Sequence, residues 1–183
     1  MSDRIYLAGP ITGCTHDETI GWREEFIHRL KGTGIQCFSP MRGKDHLNLL
    51  AKEWLDGEFK DSVACSRAIM TRDRFDCSRA TLVVANLLKS YMPKDARPSL
   101  GTTMELAWAD ANRIPIIAII DKPEDSPYNH PMINEAIGFR VASVVEAVEM
   151  VKLILVSGRL WLQQFAFGDP LQPQLPSARN PLL

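Results

Sequence analysis

A glutamate set just behind a glycine-bearing loop can reach a bound sugar, and this chain carries one in Pro98-Ser99-Leu100-Gly101-Thr102-Thr103-Met104-Glu105. The run Thr81-Leu82-Val83-Val84-Ala85-Asn86 ahead of it is short, apolar and β-branched, as a buried parallel strand requires. Behind it Leu106, Ala107, Ala109 and Ala111 favour a helix, which puts Glu105 in that helix's first turn. Ligands of open α/β sheets bind at such turns, where free backbone N–H groups and the positive end of the helix dipole attract anions. Ser99 to Thr103 would hold a phosphate or carboxylate while Glu105 reaches the sugar. The same letters permit a plainer use, because Thr102-x-x-Glu105 also has the spacing of a capping box, in which the glutamate satisfies an orphan amide at a helix start. The motif alone leaves both readings open.

Positioning such a carboxylate takes a scaffold. With 183 residues, 45% of them hydrophobic, the chain can bury a sizeable core, and residues 1–167 read as a single domain followed by a proline-rich tail over 168–183. A first strand, Arg4 to Ala8, stops at Gly9-Pro10, and Ile11-Thr12-Gly13 continues the loop with small residues. A helix follows over Asp17 to Lys31, with Ile20, Phe26, Ile27 and Leu30 on one face, and ends at Gly32 and Gly34. The second strand, Ile35 to Phe38, stops at Ser39-Pro40. A long polar connection over Met41 to Lys60 has a helical stretch around His46 to Leu55. Helices over Asp61 to Thr71 and Arg74 to Arg79 lead to the strand at Thr81, the Glu105 helix and a strand over Ile114 to Ile120. The loop Lys122 to Pro131 carries three prolines and borders a site, a short helix spans Met132 to Ile137, and Ser143-Val144-Val145-Glu146 is a second capping-box match. It opens a helix whose apolar face is Val144, Val148, Val151, Leu153 and Leu155. This alternation predicts an α/β fold: a doubly wound, flavodoxin-like or Rossmann-like parallel sheet of five strands with helices on both faces. The first and third strands then lie side by side, and the Gly9 and Ser99 loops meet at one carboxyl edge.

Charge narrows the partners. Lys plus Arg number 21 against 22 Asp plus Glu, a balance that argues against a nucleic-acid polymer or an anionic membrane and favours a small molecule. Cys14, Cys37, Cys65 and Cys77 lie 23, 28 and 12 residues apart, which fits neither a metal knuckle nor a disulfide framework, so they read as reduced thiols of a cytoplasmic protein. The apolar runs are too short to span a bilayer, and no targeting segment is expected. No metal and no cofactor are implied.

Ile5-Tyr6-Leu7-Ala8-Gly9-Pro10, Asp73 eight residues before Thr81, and Ser99 through Glu105 together resemble the nucleoside 2-deoxyribosyltransferase family and its nucleotide N-hydrolase relatives, over about residues 4 to 140. The resemblance implies that Glu105 attacks the anomeric carbon to give a covalent glycosyl-enzyme, that Tyr6 holds Glu105, and that Asp73 serves the leaving base or the sugar hydroxyl. Asp76, three residues on, is a rival for that last role. Such chemistry needs these residue types, because N-glycosidic cleavage passes through an oxocarbenium-like state that one carboxylate captures while a second acid protonates the base.

Departures from the family pattern bear on the substrate. Ser99 stands six residues before Glu105, where the transferases carry a base-contacting aspartate and the 5'-monophosphate N-hydrolases a phosphate-binding serine. A hydroxyl with helix N-terminal amides suits a phosphate, although Ser99 also reads as a plain cap. Thr12 stands where the hydrolases have an arginine, and Arg42 and Lys44 would compensate from the loop after the second strand. Gly9, Ile11, Thr12, Gly13 and Gly101 would line the pocket. Asn129, His130 and Met132 resemble a segment donated by a neighbouring subunit, which implies at least a homodimer with shared sites. Trp22, Trp54 and Trp108 read as packing residues rather than base stackers. Two other classes stay open: a nucleotide-binding regulatory module without chemistry, and an NAD glycohydrolase of the TIR type.

Overall fold

The computed structural model describes residues 2–44, 65–88 and 97–157. The expected helical stretch over 46–55, the start of the 61–71 helix, Trp54 and the tail over 168–183 lie outside the described residues. Five parallel strands form one sheet: β1 (Arg4–Ala8), β2 (Gln36–Phe38), β3 (Leu82–Asn86), β4 (Ile116–Ile119) and β5 (Phe139–Val141). Their order is β2-β1-β3-β4-β5, so β1 and β3 are neighbours at the switch point of a doubly wound sheet, as the alternation required. β3 and β4 are buried along their whole length, which is why they read as continuous apolar runs. The fifth strand has no such signature. It is three residues at the sheet edge with Phe139 and Arg140 exposed, too short for a period to register.

Side chains leave the central strands alternately. Ile5, Leu7, Leu82, Val84, Ile117 and Ile119 pack under α1 (His16–Arg29) and α5 (Val144–Val151), against Trp22, Phe26, Val148 and Val151. Tyr6, Ala8, Val83, Ala85, Ile116 and Ala118 face α2 (Ser66–Cys77) and α3 (Leu100–Ala111). On this second face Ala8, Ala85 and Ala118 stand in register across β1, β3 and β4. That row of small side chains lets α3 and the Tyr128 ring lie close to the sheet's carboxyl edge.

Three local expectations are corrected. α2 is one continuous helix where two were expected, since nothing between Ser66 and Cys77 is a glycine or proline to break it. The buried face of α1 is Thr19, Trp22, Arg23 and Phe26, with Ile27 37% exposed, so the apolar stripe lies one position round from the one expected. Leu153, expected on the apolar face of the last helix, is 64% exposed, because the chain widens into a π-helical turn over Lys152–Ser157 and loses the 3.6-residue register. Helix ends follow side-chain chemistry: Thr15 and Glu18 make a reciprocal capping box on α1, and the Ser143 side chain accepts the Glu146 N–H on α5.

Candidate active site

Glu105 does not cap its helix. The N-cap of α3 is Ser99, whose Oγ accepts the Thr102 N–H at 3.3 Å and whose carbonyl accepts the Thr103 N–H at 3.0 Å. Thr102 therefore lies inside the helix, and Glu105, its sixth residue, stands in the second turn and faces the sheet at 6% exposure. There Tyr6 Oη donates to Glu105 Oε1 at 2.5 Å. Burial, then the Glu105 carboxylate, then Asp73 push the Tyr6 phenol well above its ordinary range, so it keeps its proton and remains a donor. Cys77 Sγ donates to the Glu105 carbonyl at 3.2 Å and ties α2 to α3, its thiol pushed up to about 12 by burial and inert.

Asp73 and Asp76 part company in α2. Asp73 is 6% exposed, and its charge acts on Tyr6. Burial raises its carboxyl above the ordinary value against the pull of Arg72, at 3.3 Å, and of Lys44. Asp76 instead pairs with Arg42 Nη2 at 2.9 Å. Of the two basic residues expected to meet a phosphate, Arg42 is thus held by Asp76 and by the Phe38 ring 5.0 Å below it. Lys44 is the buried one, 4% exposed, with its charge on Asp73.

At the end of β1 the loop closes tightly. A Cβ on Gly9 would lie 3.2 Å from the Trp22 ring and 3.3 Å from both Arg23 Nη2 and the Asn86 carbonyl, so only glycine fits without displacement. Ile11 accepts the Cys14 N–H at 3.0 Å across a turn that Gly13 completes with φ 79°. Thr12 is exposed at its tip. Asn86 ends β3 fully buried, its Oδ1 accepting the Leu88 N–H at 3.2 Å while its Nδ2 has no hydrogen-bond partner. Trp22 is core, as expected, and Trp108 is half-buried on α3.

Sequence reasoning missed Tyr128. It is 1% exposed, and its Oη accepts the Ser99 N–H at 2.9 Å, pinning the proline-punctuated loop to the N-cap of the helix that carries Glu105. A tyrosine between Pro127 and Asn129 in a loop gives no periodic cue to burial. Tyr128→Phe removes that acceptor and is expected to cost about 1 kcal/mol, a melting temperature lower by about 2–4 °C in thermal unfolding. An unchanged melt would show that water replaces the phenol.

Farther along, Asn129 Oδ1 accepts from Asn134 Nδ2 at 2.9 Å, and His130 Nδ1 caps α4 (Pro131–Ala136) by accepting the Met132 N–H at 3.3 Å. Asn129, His130 and Met132 are all exposed, Met132 at 78%. Gly101 is exposed in the first turn of α3. A cleft lined by Leu87, Ile120, Asp121, Lys122, Asp125 and Ser126 runs along the same carboxyl edge. Among the described residues no group of His, Cys, Asp and Glu side chains could hold a metal, and no helix is long and apolar enough to cross a membrane.

No protein-family model and no curated protein matches the chain. Solved structures do. A conserved protein from Enterococcus faecalis V583 is similar with a TM-score of 0.58 at 18% identity, over 85% of this chain and 100% of that one. A 2-deoxyribosyltransferase from Bacillus psychrosaccharolyticus gives 0.53 at 19%, over 79% and 90%. A molybdenum cofactor binding protein from Rippkaea orientalis gives 0.52 at 18%, over 85% and 98%. The chain shares one fold with a sugar-transferring enzyme and with a cofactor binder, so the side chains at the edge of the sheet must carry the functional argument.

Proposed function

We propose that this chain, built on the fold of a 2-deoxyribosyltransferase, cleaves the N-glycosidic bond of (2'-deoxy)nucleosides or their 5'-monophosphates and passes the sugar to another base or to water. The observation that carries this reading is the 2.5 Å bond from Tyr6 to Glu105, with Asp73 close enough for its charge to act on the same phenol. Tyr6 fixes one carboxylate oxygen of Glu105 and leaves the group as the nucleophile. In the first half-reaction a Glu105 oxygen forms a bond to the anomeric carbon as the C–N bond breaks, its electron pair leaves with the base, and Asp73 protonates that base. In the second, a new base or water attacks the anomeric carbon, the bond from that carbon to the Glu105 oxygen breaks to release the carboxylate, and the Asp73 carboxylate takes the proton that the attacking group sheds. Gly9, Ile11, Thr12, Gly13 and Gly101 border the substrate. The Ser99 hydroxyl, having accepted one N–H, still has a proton to donate, which favours a 5'-phosphate, while the charges of Arg42 and Lys44 are engaged by Asp76 and Asp73. Exposed Asn129, His130 and Met132 complete the pocket of a second copy, so the working unit is a homodimer or larger.

Because burial raises the Asp73 carboxyl, its acid form persists above the ordinary carboxylate range of about 4. Activity should therefore fall as pH rises through the Asp73 titration. Asp73→Asn is expected to lower kcat about 10²-fold and to remove that alkaline limb. The stability sign is opposite: a carboxyl raised in the folded state binds its proton more tightly there, so stability falls as pH climbs from the unfolded value to the folded one. Asp73→Asn should then melt higher than wild type at pH 7. An unchanged pH profile would remove Asp73 from the mechanism.

The reading is tested by incubating the protein with deoxynucleosides, dCMP, dGMP, CMP and NAD, with and without a free acceptor base, and separating the products. Base release supports it. A new nucleoside that forms only with acceptor marks a transferase, base release without acceptor a hydrolase, and binding without turnover a regulatory module. Cleavage confined to NAD would move the chain to the TIR-like class.

A further inference from the structure

Arg72 makes a contact that helix geometry does not supply. Consecutive residues of a helix do not face each other, yet Arg72 Nε donates to Asp73 Oδ1 at 3.3 Å. The guanidinium is held there from outside the helix. Its Nη1 donates to the Arg42 carbonyl at 2.9 Å and its Nη2 to the Pro40 carbonyl, so two backbone oxygens of the turn after β2 fix the plane of the group. Each of its three nitrogens has an acceptor, and the Nε donor is not free to swing away from Asp73. The same turn is tied to α2 a second time, because Arg42 Nη2 donates to Asp76 Oδ2 at 2.9 Å with its guanidinium 5.0 Å from the Phe38 ring. Among the described residues no hydrogen bond is made to the other oxygen of Asp73, Oδ2.

We propose that Arg72 is a positioning residue for Asp73: its fork clamps the turn after β2 onto α2, and its Nε holds Oδ1 so that Oδ2 is the oxygen that passes the proton in both half-reactions. This rests on the proposed role of Asp73 as the acid. The arrangement parallels the one at Glu105, where Tyr6 fixes Oε1. A group that gives a proton in one half-reaction and takes one in the next must populate both forms, and burial alone works against the charged one. The Arg72 contact offsets part of that, with burial still the larger effect on the Asp73 carboxyl. The charged and titratable groups around Asp73 are Arg72, Asp76 and Cys77 from α2, Lys44 from the turn after β2, Tyr6 from β1, Arg23 from α1 and Glu105 from α3, which shares Tyr6 with it. Lys44 and Arg23 are cations too. What singles out Arg72 is contact, through a donor that two carbonyls hold in place.

The test is a double-mutant cycle in which Arg72→Lys and Arg72→Gln are each placed in the wild-type chain and in Asp73→Asn. Either change at Arg72 loosens the carboxyl and should lower kcat about tenfold with KM within about twofold. In the Asp73→Asn background neither should lower kcat by more than about twofold, since the side chain that Arg72 orients is no longer an acid. A fork that only staples the turn would lower the melting temperature and leave kcat alone, or lower kcat equally in both backgrounds, and either result overturns the proposal. A second readout needs no turnover: the titration of the Asp73 carboxyl by NMR of protein labelled with 13C-aspartate, the signal assigned by its loss in Asp73→Asn. Arg72→Gln should move that titration upward by about one pH unit, and the alkaline limb of kcat/KM with it. Arg72→Lys, whose ammonium the turn does not fix, should move both about half as far. An unmoved titration in either variant also overturns the proposal, so Arg72→Lys decides alone should Arg72→Gln not fold. If the wild type cleaves no glycosidic bond, the proposed reaction fails while the titration still reports whether Arg72 holds Asp73.

Discussion

Glu105→Gln is expected to lower base release about 10⁴-fold, roughly 5.4 kcal/mol of transition-state stabilisation, with the melting temperature within about 2 °C of wild type. The amide has the volume and shape of the carboxylate and still offers an oxygen to Tyr6 Oη, so the 2.5 Å contact that organises this part of the fold has a replacement. What the amide lacks is the negative charge that stabilises an oxocarbenium-like state and the basic oxygen that captures it. Steady-state release of free base on the responsive substrate, beside thermal unfolding, separates the two effects. Glu105→Ala adds a sharper discriminator. If Glu105 is the nucleophile, azide entering the space it leaves should restore base release and yield a glycosyl azide. Retention of more than a tenth of wild-type activity by Glu105→Gln would end the nucleophile assignment.

Tyr6→Phe should reduce kcat about 10³-fold with KM within about threefold, because the phenol acts on Glu105 and does not reach the solvent from which a ligand would arrive. Its pKa is raised well above the ordinary range by burial and by Glu105, so the hydroxyl keeps its proton at neutral pH and donates to the carboxylate. Loss of a buried hydrogen bond to a carboxylate should also cost about 1.5–3 kcal/mol of stability. A purely structural tyrosine would show that loss without the fall in kcat, measured below the melting range of the variant. A KM rise with kcat unchanged would instead place Tyr6 on the substrate.

Much of this arrangement is legible in one dimension. β1, β3 and α3 announce themselves by apolar runs and helix formers, and the alternation of strands and helices requires β1 beside β3, which is how Tyr6, Asp73 and Glu105 come to share one edge. Other features leave little trace. Phe139–Val141 is an edge strand whose pairing comes from β4, not from its own composition. The buried face of α1 hides Arg23 because a hydropathy stripe counts arginine as solvent-facing. Its helical spacing from Thr19 and Phe26, and its place next to Trp22, was the signal that could have placed it inside. Thr102-x-x-Glu105 has the letters of a cap, yet the helix starts three residues earlier because the Ser99 hydroxyl takes the Thr102 amide first.

Sequence by itself determined the layers and that β1 lies beside β3, because the alternation of strands and helices and the handedness of their connections follow from local composition. Tertiary structure alone decided which of those residues face one another. Asp73 rather than Asp76 is the carboxyl whose charge acts on Tyr6, Arg42 is taken by Asp76, and Arg23 is buried on the far side of the sheet with its fork on the Leu7, Gly9 and Thr19 carbonyls. The reason is physical. Hydrogen bonds and ion pairs depend on angstrom-scale placement of groups from different elements, which a linear pattern does not encode.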